Sequence, residues 1–404
     1  MPSSVTITIS AAIVGIYLMS LVSILQTRGA KPARHRLLFV LTLITGLAIT
    51  PLIAAHAPQL YPVYMPFMLP VLLTIPGAVF FYISARINIQ TLKKVRPRHL
   101  LMPIAGMMVT IGYWILPEKA RSSMFLMGEL PPGYTPSILA FATFALILIW
   151  SIVSFVYLVL VLKSLNIYRA SLKDLVSNTE VYSLRWVESL MFGFITLWII
   201  TAVSLVGDNL GLGIFFSNEL PLFVTAAVLL LLSSFPPRQQ PELEALGELT
   251  QQQTGDAEPH TTAVKYSKSA LSMERKERLS ERIENCMSSK RLFLDPNLTL
   301  KKLSDHIGAT TNTVSQTLNE EIGMSFFDYV ASWRAKAAKS LLITTDKTVL
   351  NICLEVGFNS RSTFYKAFKK EFGVNPTDLR KSNRQNTHQL GTDPTTGYVM
   401  QQHP

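Results

Sequence analysis

Two short windows of the chain carry side chains that can form hydrogen bonds with the edges of base pairs. They hold Thr311, Asn312, Ser315 and Gln316 in the first window, and Arg361, Ser362, Tyr365 and Lys366 in the second. An arginine can bind a guanine through two hydrogen bonds, and Asn or Gln can bind an adenine in the same way. Residues at this spacing share one face of a helix. The windows therefore predict two helices whose N-terminal halves read bases in the major groove of DNA.

Four lysines beside these windows are suited to a different contact. They are Lys301, Lys302, Lys369 and Lys370. A lysine ammonium is a flexible point charge, and contacts with DNA phosphates position a protein without specifying a sequence. We predict that these four residues bind the phosphate backbone.

The elements that must position both windows form an internal duplication. Thr299 and Thr348 are each predicted to cap a short apolar-periodic helix, and Gly308 and Gly357 each to end one. Each glycine is followed by a turn and a second helix, which is the pattern of a helix-turn-helix, with one residue inserted in the second copy. A single helix over 326–342, with Phe327, Val330, Ala337 and Leu341 on its predicted packing side, links the two copies. Two recognition helices held by such a rod suit consecutive turns of the major groove.

Residues 299–381 resemble the DNA-binding domain of the AraC/XylS family of bacterial transcriptional regulators. The resemblance rests on GFNSRSTFYKAFKKEFGVNPTDLRK (357–381) and on the first copy with its linking helix (298–342), including Arg334 and Ala338. It implies promoter binding and recruitment of RNA polymerase, usually in activation. Family members often carry a basic residue where this chain has Gln316, so we expect the second copy to contribute most of the affinity.

The first part of the chain has the composition of a membrane protein. Apolar residues make up 49% of the whole chain, charged residues 16%, and the mean hydropathy is +0.31. Seven stretches with almost no charge are long enough, or nearly so, to cross a bilayer as helices. They lie at 5–25, 37–55, 63–85, 100–117, 138–162, 189–207 and 219–235. Pro66, Pro70 and Pro76 fall in the third and predict a kink, which we interpret as a packing feature rather than a ligand pocket.

Loop charge predicts the orientation of these segments. Lys and Arg concentrate in the loops after the first, third and fifth segments, whereas the opposite loops hold only Lys119 and Arg121. The positive-inside rule then places the N-terminus outside and the C-terminus in the cytoplasm. We therefore expect a multi-pass protein of the bacterial inner membrane with its DNA-binding domain in the cytoplasm.

The predicted fold class is all-α: a seven-helix transmembrane bundle followed by two helix-turn-helix subdomains on a linking helix. The predicted domains are a membrane domain (1–236), a flexible linker rich in Gln, Glu, Thr and Pro (237–271), a DNA-binding domain that begins with an amphipathic helix (272–386), and a disordered tail (387–404). Cys286 and Cys353 are the two cysteines of the chain, which is too few for a disulfide framework and favours a reducing compartment for this part. Both are at predicted buried positions.

Enzymatic activity is not predicted, because the sequence contains no P-loop, HExxH, GxSxG, kinase or metal-ligand spacing. For the same reason we expect no cofactor and no metal. The sequence instead favours a membrane-tethered transcription factor whose bundle senses a signal. Its expected partners are promoter DNA, RNA polymerase, membrane lipid, a small-molecule or membrane-protein signal, and a second copy of the chain. The alternative is a transporter or channel with an attached regulatory or protein-binding helix-turn-helix domain.

Overall fold

The computed structural model describes residues 2–26, 31–87, 97–180, 182–209, 219–234 and 267–390. The elements in these residues are helical, and no β-strand occurs among them. The chain divides into two units, which are described separately below. The first comprises Met1–Tyr168 and Ser183–Gly247, and the second comprises Arg169–Tyr182 and Glu248–Pro404. The second unit therefore includes a short segment from the middle of the sequence.

The first unit consists mainly of apolar helices that pack against one another, with one short charged helix, Glu118–Ser122, among them. They are α1 (Ser4–Gln26), α2 (Lys31–Ala48), α3 (Thr50–His56), α4 (Tyr61–Ile87), α5 (Leu101–Ile115), α6 (Glu118–Ser122), α7 (Tyr134–Leu175), α8 (Arg185–Asn209) and α9 (Glu219–Ser234). Their buried side chains include Ile13, Leu41, Ile83 and Leu229. Helix α7 continues past Tyr168, so its last residues belong to the second unit.

Three of these helices, α1, α4 and α7, are long and apolar enough to cross a membrane. The number rises to five if two bent pairs each count as one crossing: α2 with α3, bent by 44°, and the α5 region with Glu118–Met127, bent by 118°. Helix α9 is apolar but has only 16 residues. The structure thus supports several apolar helices of membrane-spanning length, and it does not confirm the predicted number of seven.

The prolines of α4 lie within one uninterrupted helix. Pro70 has no N–H to donate to the carbonyl of Pro66, and the hydroxyl of Thr110 on α5 donates to that oxygen instead, at 2.7 Å. Gly106 permits this approach, because a Cβ there would lie 2.7 Å from Leu73 Cδ1 and 3.0 Å from Pro70 Cα. The carbonyl that proline releases at this point is therefore satisfied by a neighbouring helix, as an apolar environment requires.

Among its described residues the second unit contains seven further α-helices, a short 3₁₀ turn at Leu292–Leu294 and a π-helical turn at Leu318–Ile322. The helices are α10 (Ser267–Ser288), α11 (Leu300–Ile307), α12 (Thr311–Thr317), α13 (Phe326–Thr344), α14 (Val349–Glu355), α15 (Arg361–Phe372) and α16 (Pro376–Leu390). Helix α10 begins within the predicted linker, of which 237–266 lie outside the described residues. Helix α16 extends into the predicted tail, of which 391–404 also lie outside them.

The duplicated pattern forms two helix-turn-helix pairs, α11–α12 and α14–α15. The Thr299 hydroxyl accepts a hydrogen bond from the Lys302 N–H, and the Thr348 hydroxyl accepts one from the Asn351 N–H, so both predicted N-caps are confirmed. Gly308 ends α11 at a φ of 68°, where a left-handed backbone favours glycine. The side chains that face inward in each pair are almost fully buried, including Leu303 and Val314 in the first pair.

The linking helix α13 is 19 residues long, or roughly 28 Å. It packs against α14, α15, α16 and the 3₁₀ turn. Val330 is buried as predicted, but Phe327, Ala337 and Leu341 are only half-buried. The most buried face instead carries Phe326, Val330, Arg334, Ala335, Ala338 and Leu342. Ala337 and Leu341 nevertheless pack against the core of the second helix-turn-helix, so the predicted packing side is correct in part. An apolar pattern does not anticipate the burial of Arg334 on the neighbouring positions.

Candidate nucleic-acid interface

The first recognition helix, α12, presents a polar and nearly uncharged surface. Its N-cap is Thr310, whose hydroxyl accepts from the Thr313 N–H, and its inward residues are Val314 and Thr317. Of the four predicted base-reading residues, Asn312 and Gln316 are exposed, and Thr311 and Ser315 are half-buried. All four lie on this one short helix.

The surroundings of Gln316 disfavour a strong contact with DNA. Its amide donates to Glu320 Oε1 at 2.9 Å, and Glu320 is in turn bound to Lys276 of α10. A carboxylate beside the recognition surface repels phosphates, and the bonded amide must break this contact before it can reach a base. The weaker binding expected of the first copy stays a prediction.

The second recognition helix, α15, presents a basic surface. Arg361, Ser362 and Lys366 are exposed, and Tyr365 is half-buried. The guanidinium of Arg361 donates to the Tyr365 hydroxyl at 3.0 Å, and its Cζ lies 5.0 Å from the centre of the tyrosine ring. This stacking limits the rotamers of Arg361 and keeps its planar donors at the first turn of the helix.

The four lysines predicted to contact phosphates differ in their surroundings. Lys301 is paired with Asp305 at 2.7 Å, Lys302 with Asp295 at 2.8 Å, and Lys370 with Asp328 at 2.9 Å. Among the residues that the structure describes, Lys369 and the base-reading candidate Lys366 form no ion pair. Exposed ion pairs of this kind contribute little to the free energy of folding, so a DNA phosphate can replace the carboxylate as the partner of the lysine. Of these five lysines, the two that form no ion pair within the described part of the chain, Lys366 and Lys369, both lie on α15.

An apolar core fixes the position of α15. Phe364 and Phe368 are fully buried, as predicted, and pack with Ala335, Ile352 and Phe358. Cys353 is buried in the same core, and burial raises the pKa of its thiol to about 11; nearby Arg361 lowers this pKa and Glu180 raises it further. The thiol is therefore protonated at neutral pH, which favours a packing role over a reactive one.

Arg334 joins the second helix-turn-helix to the turn that precedes the first. Its Nε donates to the Phe293 carbonyl at 2.7 Å, and its Nη2 donates to the Asp295 carbonyl at 2.7 Å. Its Cζ lies 5.6 Å from the centre of the Phe358 ring. Burial lowers the pKa of Arg334 to about 10, an effect that Asp295 partly opposes, so the guanidinium stays charged at neutral pH.

Gly357 lies against this same turn. Its φ is 92°, and a Cβ at this position would lie 2.8 Å from the carbonyl oxygens of both Phe293 and Leu294 and 3.0 Å from Arg334 Nε. The contact sets the position of α14, and through it the start of α15. A glycine is needed here both for its backbone conformation and for its small size.

Sequence reasoning missed one segment that lies at this surface. Ser177 and Glu180 fall between two apolar stretches, where polar residues look like ordinary loop residues. In the structure Glu180 accepts hydrogen bonds from Ser360 and Thr363 at the start of α15. No local pattern could have revealed this contact, because the partners are 180 and 183 residues apart.

Groups of three or more His, Cys, Asp or Glu side chains that could hold a metal ion do not occur among the described residues. The chemistry available at this surface is hydrogen bonding and charge. It suits a polyanion with exposed donor and acceptor edges, which is what duplex DNA offers.

Comparison with known proteins identifies the class of this domain. Residues 303–382 match the family described as "Helix-turn-helix domain". The match covers α12 to α15 in full, and thus both recognition helices. The C-terminal domain is accordingly an AraC-type helix-turn-helix domain.

Relatives of known or inferred role are similar to this part of the chain. The melibiose operon regulatory protein of Escherichia coli K12 is 31% identical over 91 residues, which are 22% of this chain and 30% of that protein. The uncharacterized HTH-type transcriptional regulator YtdP of Bacillus subtilis is 32% identical over 90 residues, again 22% of this chain, but 12% of that protein. The chain thus matches less than a third of the length of these relatives.

Solved structures give a limited likeness. The C-terminal domain of AraT, a response regulator from Geobacillus stearothermophilus, is 24% identical with a TM-score of 0.24, and the alignment covers 31% of this chain and 97% of that domain. The C-terminal domain of the response regulator yesN from Fusobacterium nucleatum is 29% identical with a TM-score of 0.22, covering 26% of this chain and 98% of that domain. The sequence matches, rather than these scores, support a DNA-binding transcription regulator.

Proposed function

We propose that the chain is a membrane-tethered, sequence-specific transcription factor, and that it acts as an activator. The observation that carries the proposal is the pair of recognition helices, α12 and α15, which one linking helix joins and which expose side chains that can bind bases. The apolar helices of the first unit would hold the protein in the bacterial inner membrane. The N-terminus would lie outside and the helix-turn-helix domain in the cytoplasm, as loop charge indicates.

The base-reading and phosphate-binding roles of individual residues are part of the proposal. Arg361 and Lys366 on α15 would supply most of the specific contacts, and Asn312 and Gln316 on α12 would supply weaker ones. Ser362, Tyr365, Thr311 and Ser315 would complete the two base-facing surfaces. Lys301, Lys302, Lys369 and Lys370 would bind phosphates. RNA polymerase, a homodimer partner, membrane lipid and a signal received by the apolar helices are further proposed partners.

Genome-wide crosslinking and immunoprecipitation of the full-length protein tests DNA binding directly. We expect sharp promoter peaks for the natural chain and weak or absent peaks for Arg361→Ala, because loss of a bidentate contact lowers affinity about 10- to 100-fold. The matched control is Arg384→Ala, which removes an exposed arginine paired with Asp346 outside the recognition helices. Peaks that persist unchanged in Arg361→Ala would contradict the assignment of α15 as the principal reader.

Cell fractionation tests the membrane attachment. The full-length protein should sediment with the membranes and remain there after alkaline carbonate extraction, since helices as apolar as α1, α4 and α7 cannot be displaced by charge neutralisation. A fragment that begins at residue 265 serves as the control for association through the DNA-binding domain. Extraction of the full-length protein into the soluble fraction would exclude an integral membrane protein.

A further inference from the structure

The segment Arg169–Tyr182 is part of the second unit although its sequence lies between apolar helices of the first. Val176 forms an antiparallel bridge with Thr299, the N-cap of α11. The N–H of Ser177 donates to the Leu298 carbonyl at 3.1 Å, and its hydroxyl donates to the same oxygen at 2.7 Å. Val176 and Ser177 are both buried. We call residues 176–180 the docking segment.

Arg334 strengthens this contact through Nη1 and through Nη2, which also donates to the Asp295 carbonyl of the turn. Its Nη2 donates to the Ser177 hydroxyl at 3.2 Å, and its Nη1 donates to the Ser177 carbonyl at 3.4 Å. The residue that fixes the second helix-turn-helix therefore also holds the docking segment. Because one buried guanidinium makes both contacts, the packing of the turn at 292–295 and the docking of Ser177 are energetically coupled.

Glu180 places a carboxylate at the N-terminus of the second recognition helix. Its Oε1 accepts from the Ser360 hydroxyl at 2.6 Å and from the Thr363 hydroxyl at 2.5 Å. Ser360 is the N-cap of α15, and its hydroxyl also accepts from the Thr363 N–H. A negative charge is favourable at this end of a helix, where backbone N–H groups and the helix dipole attract anions, including phosphates.

The first copy provides an internal comparison. Thr310 and Thr313 of α12 occupy the positions of Ser360 and Thr363, and their hydroxyls lie 2.7 Å apart in a hydrogen bond with each other. Among the described residues no carboxylate is bonded to that pair. The carboxylate of the docking segment thus contacts the second recognition helix, which carries the exposed Arg361 and two lysines that have no ion pair among the described residues, Lys366 and Lys369.

We infer that the docking segment is an intramolecular competitor of DNA, with Glu180 occupying the place of a backbone phosphate at the start of α15. This inference rests on the proposed DNA-binding function. DNA cannot approach the first turn of α15 while an anionic side chain is bonded there, because like charges repel and the hydroxyls are already engaged. The DNA-competent state is then the undocked state, and its population sets the apparent affinity.

The arrangement also suggests how a signal would reach the DNA-binding domain. Helix α7 runs without a break from Tyr134 to Leu175 and leads directly into the docking segment. A shift or rotation of α7 would therefore change the position of Ser177 and Glu180. Release of Glu180 would remove a negative charge from the N-terminus of α15 and free the hydroxyls of Ser360 and Thr363 to bind DNA. A signal that moves α7 would therefore activate binding.

The test uses full-length protein in detergent micelles and a fluorescein-labelled pool of 40-base-pair duplexes of random sequence at low salt. Glu180→Gln keeps the shape of the side chain and removes its charge, and Ser177→Pro removes the N–H donor without a change of charge. We expect both variants to bind the duplexes roughly three- to tenfold more tightly than the natural chain by fluorescence anisotropy. The matched control, Glu281→Gln on the exposed face of α10, should change the affinity less than twofold.

Hydrogen exchange of the same samples reports docking itself. Without DNA, the amides of the docking segment should exchange slowly in the natural chain and faster in both variants, with residue 177 left out of the comparison because proline has no N–H. Excess duplex should speed the exchange of the same amides in the natural chain. If Glu180→Gln tightens binding but Ser177→Pro does not, Glu180 only repels DNA and the inference fails. Equal affinity of all variants, or exchange that DNA leaves unchanged, also overturns it. Absence of duplex binding by every variant would instead reject the proposed function, and the inference with it.

Discussion

Replacing Gly357 with alanine is expected to destabilise the second helix-turn-helix by about 2 to 5 kcal/mol. A positive φ costs a residue with a Cβ about 1 to 2 kcal/mol, and forcing extra volume into a packed site adds about 1 to 3 kcal/mol. Here the added methyl group would meet two backbone carbonyl oxygens at 2.8 Å, and these belong to a turn held by Arg334. Neither the turn nor the guanidinium can move away without loss of hydrogen bonds.

Gly323→Ala is the matched control for this substitution. Gly323 has a φ of 72°, similar to the 92° of Gly357, but a Cβ there would have no atom within 4 Å. Its replacement should therefore cost only the conformational part, about 1 to 2 kcal/mol. Hydrogen exchange of peptides from α14 and α15 in the full-length protein measures the opening free energy of this region. An equal decrease in opening free energy in the two variants would show that the close approach of Gly357 to the turn does not account for the destabilisation.

Replacing Arg334 with methionine is expected to have an effect of similar size for a different reason. The side chain is 1% exposed and satisfies the carbonyls of Phe293 and Asp295. Methionine fills much of the volume but donates no hydrogen bond, and each buried acceptor left without a partner costs about 1 to 3 kcal/mol. We therefore expect a loss of about 2 to 6 kcal/mol, together with release of the Ser177 contact.

Two further variants identify the origin of this loss. Arg334→Lys keeps the positive charge but lacks the planar fork that reaches two carbonyls at once, so it should recover only part of the stability. Arg384→Met removes an arginine with a side chain 60% exposed, and it should cost less than about 1 kcal/mol. Exchange rates of the amides around the 3₁₀ turn and in α15 provide the measurement. Full recovery by lysine would mean that charge, rather than hydrogen-bond geometry, is what the site requires.

The sequence contains most of the information that defines the DNA-binding domain. The caps at Thr299 and Thr348, the helix end at Gly308 and the burial of Phe364 and Phe368 follow local rules, and the structure confirms them. Local rules suffice here because each helix-turn-helix is short and its core residues recur at helical spacing.

Features that depend on distant contacts could not be predicted in this way. The burial of Arg334 follows from no local pattern, since its carbonyl partners lie 39 and 41 residues away. The docking segment was missed because Ser177 and Leu298 are 121 residues apart. The number of membrane-spanning helices was also uncertain by sequence, because the bends of 44° and 118° are properties of the backbone rather than of composition.

The unequal charge of the two recognition helices gives any DNA site a direction. Helix α12 is held beside Glu320, whereas α15 carries Arg361, Lys366 and Lys369, and one linking helix fixes their order along the duplex. If both helices read DNA as proposed, the site for a single chain is a tandem arrangement of two unlike halves rather than a palindrome. Inverting such a site within a promoter would turn the protein around relative to the start of transcription, so gene expression should depend on the orientation of the site as well as on its sequence.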